Sequence, residues 1–311
     1  MIRRPPRSTP SNSSAASDVY KRQVWYIVIG VAEVIASQGF TLSPKVKVGG
    51  IIEPREAIDE ADAKRKAEKI MMLAEIKAMR DITKELCSNE EAFLIIDGPI
   101  IDPPLLLDEE YLTERVNTIR DCHENNITVV GFVKRVMGRN FLSTLQQELD
   151  DKLKVQLSNY TSDLDLMGSL LNIAILKTGF SAVYTKPKYY QKGLSEKEDH
   201  RISRVYRAYE DKGLKIYYTY YKPNIREKVY RIELASFEKL DDQQLMQKFK
   251  EIMELIQIWT LPGQGQPLPI IIAHNKCSVR KGAADTLYYE IMTRAFSQGT
   301  TDFWWTITEE I

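Results

Sequence analysis

Cysteine is scarce in this chain: 311 residues hold three, Cys87, Cys122 and Cys277, far apart in sequence. No two form a CxxC pair and the count is odd, so neither a zinc ribbon nor a disulfide framework is favoured. A reducing cytoplasm is the default compartment. Long apolar runs are missing as well. Val24–Ala36 is the longest near the start, and it is interrupted by Glu33 and too short to cross a bilayer, so no membrane partner is expected. Histidine is rare, with His123, His200 and His274 the whole supply. Net charge is zero, from 43 basic and 43 acidic residues. There is no internal repeat and no clear linker. The length allows one large domain or two smaller ones.

The zero charge conceals two unlike parts. Met1–Gln23 is rich in Ser, Pro and Arg, lacks hydrophobic periodicity, and carries five basic residues against Asp18, a net of +4. A disordered basic tail or a transit peptide is one reading. Its ends, MIRRPPRST and SSAASDVYKRQ, also resemble the conceptual translation of sequencing-adapter DNA. A non-native segment packing against nothing is therefore the expectation for 1–23. Without it 38 basic and 42 acidic residues remain, a net of −4. Nucleic-acid contact must then come from a local patch rather than from bulk charge.

Hydrophobic patterning predicts a mixed α/β fold. Strands are expected at Val24–Ala36, around Lys45–Ile52, at Phe93–Ile96 and at Thr128–Val133, with a strand-rich stretch over Phe180–Leu234. Helices are expected at Arg55–Leu86, Tyr111–Asn125, Phe141–Leu157, Leu164–Leu176, Leu240–Trp259 and Lys281–Phe296. Ile270–Ala273 is a short buried run.

Two strand ends carry chemistry. The apolar run in FLIIDGPIIDPP opens into Asp97-Gly98-Pro99, and TVVGFVKR ends in Lys134-Arg135. A carboxylate where a buried strand meets a glycine turn can hold a divalent metal, and a lysine ending a neighbouring strand suits a phosphate. Asp-Gly is also ordinary turn chemistry, and Asp102 before Pro103 reads that way. Lys134 and Arg135 also fit a solvated strand end. Glu75 sits among Met71, Met72, Ala78, Met79 and Ile82 on a helical face. A carboxylate in an apolar stripe needs a partner or a metal. It either lies at the stripe's edge, pairs with an arginine, or binds metal, with Glu68 as a rival on the same face. His274 reads as a hydrogen-bonded core residue or a site residue, while His123 and His200 sit in polar surroundings.

Tyr184–Arg231 holds 13 basic and 6 acidic residues and 10 of the 16 tyrosines. Basic side chains neutralise phosphates and aromatic faces stack on bases, which suits a single-strand groove. Lys186, Lys188, Tyr189, Arg204, Tyr217 and Lys222 are the candidate DNA contacts. A tyrosine-rich antiparallel sheet with one lysine-coated face explains the same composition.

In order, MMLAEIKAMR, FLIIDGP, VVGFVKR and PLPIIIAHNKCSV resemble the NurA nuclease family of archaea and some bacteria, over roughly Val24 to Phe296. The resemblance implies an RNase H-like core, a mixed central sheet flanked by helices with C-terminal helices, in one domain over 24–311. It implies a Mn2+- or Mg2+-dependent deoxyribonuclease, a homodimer in the cytoplasm working with a HerA-type hexameric ATPase in end resection during recombinational repair. Glu75 and Asp97 then match metal-binding carboxylates, Lys134 the strand lysine and His274 the late histidine. Two departures stand out. Gln266-Pro267 lies where the family often has a Tyr-Pro pair. No Asp-Gly-Ser strand end precedes Val24, which implies a first strand and metal-binding aspartate replaced by the adapter-like segment, and a chain that cuts slowly. A silent module binding DNA or the ATPase, and an unrelated α/β interaction protein, are the alternatives.

Overall fold

The computed structural model describes residues 23–36, 44–86, 91–101, 108–134, 142, 157, 159–190, 200–261 and 263–278, with 286, 289, 290, 293, 294 and 297. The segment 1–22, Asp102, Arg135 and, apart from isolated positions, the expected helices Phe141–Leu157 and Lys281–Phe296 lie outside the described residues.

Strands and helices alternate as the patterning predicts. β1 (Gln23–Ile35) and β2 (Lys45–Ala57) pair antiparallel, with Ile29 opposite Ile51. β2 runs beyond the expected end at Ile52 and through Pro54. Among the described residues it pairs with β1 alone, and an edge strand tolerates a missing donor. α1 (Glu60–Glu85) starts later than the expected Arg55. Asp59 sets that start: its side chain accepts from Asp62 N at 2.7 Å, and the acidic first turn suits the positive end of the helix dipole.

β3 (Ala92–Ile96) and β4 (Ile127–Val133) are parallel, joined by the crossover containing α2 (Glu109–Glu124). After β4 come α3 (Asp163–Thr178), the short β5 (Val183–Tyr184) and β6 (Lys188–Tyr189), and α4 (His200–Asp211). β7 (Lys215–Lys222) and β8 (Tyr230–Ser236) follow, then α5 (Asp242–Trp259) and α6 (Leu268–Cys277). The larger sheet has the order β3-β4-β8-β7-β5, with β6 also on β7, and everything beyond β3–β4 is antiparallel. It is a mixed sheet with helices on both faces.

Alternation along the central strands builds the core. Ile127 and Val129 of β4 join Leu94, Ile96, Leu112, Val116, Ile119, Val205 and Tyr209, so α1, α2 and α4 share that face. Val130 and Phe132 point the other way and pack with Tyr230, Ile232, Leu234, Phe249, Ile252 and Ile256 under α5. Burying each such side chain is worth about 1.5–3 kcal/mol.

Two local readings change. The strand-rich stretch Phe180–Leu234 contains a helix, α4. Ile270–Ala273, expected as a short buried run, is the middle of α6, and only Ile270 of it is buried. Its β-branched residues do not prevent the helix, because Pro267 and Pro269 fall at the N-cap and first turn, where a missing N–H removes no intrahelical bond. α6 lies against β1, where the space beside Gly30 is closed by the carbonyl oxygen of Cys277.

Candidate active site

Parallel pairing puts two chemically distinct strand ends side by side. Ile96 is in register with Gly131, so Asp97 and Lys134 emerge at the same edge of the sheet. Carboxyl ends of parallel strands are where open α/β sheets commonly bind ligands. Lys134 Nζ lies 2.7 Å from Asp97 Oδ1 and 2.8 Å from Oδ2. From α6, His274 brings Nδ1 to 3.3 Å from Oδ2. Three segments thus converge on one carboxylate. Their side chains are reachable from solvent: His274 is 61% exposed, Asp97 29% and Lys134 20%.

Beneath this edge is a second charged cluster, in which Arg115, Arg231 and Glu233 are withdrawn from solvent while Glu75 is 38% exposed. After Asp97 the chain folds back over β4 at Gly131. A Cβ on Gly131 would lie 3.0 Å from Gly98 O and 3.2 Å from Ile100 N, so the glycine is what admits the turn. Gly131 stands opposite Glu233 of β8. Glu233 Oε2 accepts a hydrogen bond from Ile100 N at 2.8 Å, and the Arg231 guanidinium lies 2.5 Å from Glu233 Oε1. Arg115 of α2 reaches the same turn from the other side. Its Nη1 donates to Glu75 Oε1 at 3.0 Å, and its Nε lies 3.4 Å from Ile100 O, a long contact. Arg115 and Glu233 are each 1% exposed. Burial alone would push the Arg115 guanidinium below its ordinary pKa, but the charge and hydrogen bond of Glu75 with the Tyr111 and Tyr209 phenols together outweigh it and the pKa ends up raised. For Arg231 burial is likewise offset by Glu233 together with Tyr206, Tyr190 and Tyr220, and its pKa is raised.

Glu75 is therefore placed as the partner of a buried arginine, one of the alternatives open from its helical face. Asp97, Lys134 and His274 are brought together, and Glu75 touches their turn only through Arg115. Among the described residues, no three His, Cys, Asp or Glu side chains group closely enough to hold a metal ion. Asp97 by itself fits a single ligand position of a hydrated hard cation, which is commonly held by one or two carboxylates with water and substrate phosphate in the other positions.

A NurA domain family model matches residues 20–279. This chain belongs to the NurA domain family. The match covers more than half the chain and rules out the unrelated interaction protein. The crystal structure of the NurA nuclease from Sulfolobus solfataricus is similar to this NurA-family fold with a TM-score of 0.52 and 12% identity, over 91% of this chain and 88% of that one. At that identity the likeness is one of fold. No curated protein matches the chain.

The candidate DNA contacts of this NurA-family chain divide by burial. Lys186 is exposed and 2.5 Å from Asp242, and Lys188 is exposed. The Tyr189 hydroxyl donates to Glu210 at 2.7 Å, and burial with that bond raises its pKa. Arg204 lies on α4. Tyr217 is buried and its hydroxyl accepts from Leu240 N at 2.9 Å. Lys222 is buried too, its ammonium donating to the Glu227 carbonyl and its pKa lowered by burial. Lys222 nevertheless lines a cavity of about 370 Å³ with Asp165, Asn172 and Lys228. With Tyr218, Tyr220, Tyr221 and Tyr230 also buried, the tyrosine-rich sheet accounts for most of this composition. His123 is exposed, with its ring 5.9 Å from that of Phe237, and His200 opens α4.

Sequence reasoning missed Arg115, Gly131 and Glu233. A signal was there. Arg115 falls at helical spacing among Leu112, Val116 and Ile119, and Glu233 alternates within the apolar YRIELAS. Both are charges on faces that should be apolar.

Proposed function

We propose that this chain is a nuclease that hydrolyses phosphodiester bonds of DNA at the edge formed by Asp97, Lys134 and His274. The observation that carries the reading is the convergence of a carboxylate, an ammonium and an imidazole from three distant segments at the carboxyl ends of β3 and β4. NurA domain membership and the nuclease named among similar folds support it.

Each side chain has a chemical part. Lys134 trades part of its contact with Asp97 for a backbone phosphate and neutralises its charge. His274, with its imidazole toward solvent, moves a proton to or from the reacting oxygen as water adds to phosphorus and the P–O ester bond breaks. Asp97 would hold a divalent ion, Mn2+ or Mg2+, and Glu75 could join it only by giving up Arg115. When bound, such an ion activates water and offsets charge on the attacking and leaving oxygens. Lys186, Lys188, Tyr189 and Arg204 remain the proposed contacts for a strand running past this edge.

Beyond the site, the family reading carries a HerA-type hexameric ATPase partner, a homodimer, a part in end resection and a cytoplasmic setting. No described helix is long and apolar enough to cross a membrane.

A catalytically silent module that binds DNA without cutting is the second reading. It is favoured by the engagement of both Asp97 oxygens and by the lack of a three-member ligand group among the described residues. Incubating the purified chain with linear DNA and Mn2+, with and without chelator, separates the two. Metal-dependent degradation supports the nuclease. DNA binding without any degradation supports the silent module.

A further inference from the structure

Below Asp97 lie three charges withdrawn from solvent that the chemistry above does not use, Arg115, Arg231 and Glu233, with the 38% exposed Glu75 at the edge as the partner of Arg115. Replacing a buried ion pair by well-packed apolar residues is often neutral or stabilising. Stability alone is therefore a poor reason for charges at these positions. Their contacts suggest another. Ile100 is fully buried, and both its backbone groups are met by side chains rather than by a strand or helix: N–H by Glu233 Oε2 at 2.8 Å, and C=O by Arg115 Nε at 3.4 Å. Only two residues, Gly98 and Pro99, separate Ile100 from Asp97, and Gly131 opens the space through which the turn reaches Glu233.

We propose that Glu233 is a positioning residue for Asp97. By accepting the Ile100 N–H it pins the far end of the Asp97–Ile100 turn to β8, with Arg231 holding the carboxylate in place and Arg115 bracing the opposite side. Asp97 is thereby held at the height where Lys134 and His274 meet it. The catalytic part of this inference rests on the nuclease reading; the geometric part does not.

Three variants test it: Glu233→Gln, Glu233→Leu and the double variant Arg231→Met/Glu233→Leu. Glutamine keeps an acceptor for Ile100, and the double variant removes both buried charges so that no lone guanidinium is left. The readouts are melting temperature, amide exchange at Ile100, and kcat and KM on linear DNA. Glu233→Gln is expected to keep slow Ile100 exchange and kcat within about threefold of the parent. Glu233→Leu is expected to lower kcat about 10–100-fold, the usual scale for losing a supporting partner of a site ligand, with KM nearly constant. The double variant decides even if the single leucine variant fails to fold. It should regain most of the parent's melting temperature while Ile100 exchanges fast and kcat stays low. Activity that returns with stability in the double variant, or parent-like kcat with fast Ile100 exchange, overturns the proposal. Should the parent not cut DNA at all, the nuclease reading and the catalytic part fail together. Ile100 exchange then decides the geometric part: slow in the parent and fast in the double variant upholds it, and equal rates overturn it.

Discussion

Two sets of charged side chains lie within a few residues of each other and behave differently. Asp97, Lys134 and His274 stand at the open edge of the sheet, where water, ions and phosphates can exchange among them. Arg115 and Glu233 contact the same turn, with Glu75 and Arg231 as their partners, and both arginines and Glu233 are withdrawn from solvent. The contrast separates two uses of charge. In the exposed set the pairing energy is small, so a ligand can displace it. In the buried Arg231–Glu233 pair removing one partner leaves a stranded charge, so the pair cannot open without disturbing the core.

The sharpest way to break this contrast is Arg115→Met. It removes the hydrogen bond to Glu75, which is itself 38% exposed, and frees the Ile100 carbonyl, and it is expected to cost about 1.5–3 kcal/mol, measured by urea unfolding. A loss under about 1 kcal/mol would place Arg115 with the exposed set. Next in size is Gly131→Ala. The added Cβ would press on Gly98 O and Ile100 N, so the turn must shift, at a cost of about 1–3 kcal/mol and with faster amide exchange at Ile100. Unchanged stability and exchange would mean that the turn is not seated on β4.

The smallest effect concerns an exposed charge with a purely structural part. Asp108 caps α2 by accepting from Tyr111 N at 3.0 Å and pairs with Lys69 at 2.5 Å. The Lys69 bond, followed by the Tyr111 N–H, lowers its carboxyl pKa below the ordinary 3.8. Its contribution is therefore complete above that value and lost as pH falls through the lower folded-state pKa. Asp108→Ala should cost about 1 kcal/mol at neutral pH. The difference between variant and parent should shrink in acid. A difference that persists unchanged down to the lowest pH at which the chain stays folded would remove the ionised cap from the account.

Much of this was legible beforehand, for reasons that residues make plain. β3 and β4 are apolar and end in Asp97 and Lys134, so local pattern was enough to find the strands and their chemistry. The helical spacing in α1 marked Glu75 as unusual, and the arginine partner was one of its open explanations. Which arginine it was could not be read, because Arg115 is forty residues away and meets Glu75 only once α2 packs on α1. The tyrosines misled in part. Stacking platform and sheet core demand the same residue types, and only burial tells Tyr217 from a base-stacking ring. α6 was hidden by its three isoleucines, whose extended preference yields to packing against β1.

The central claim is that the exposed set does chemistry and the buried set supports it. The most direct measurement compares the parent chain with Asp97→Ala for degradation of linear DNA in Mn2+, at matched folded fraction. The account predicts a rate lower by about 100-fold or more, the scale of losing a charge that stabilises the reacting centre. DNA binding should be retained, and the melting temperature should move by less than about 3 °C, since only a surface pair is lost. Equal rates of metal-dependent cutting by parent and variant would contradict it.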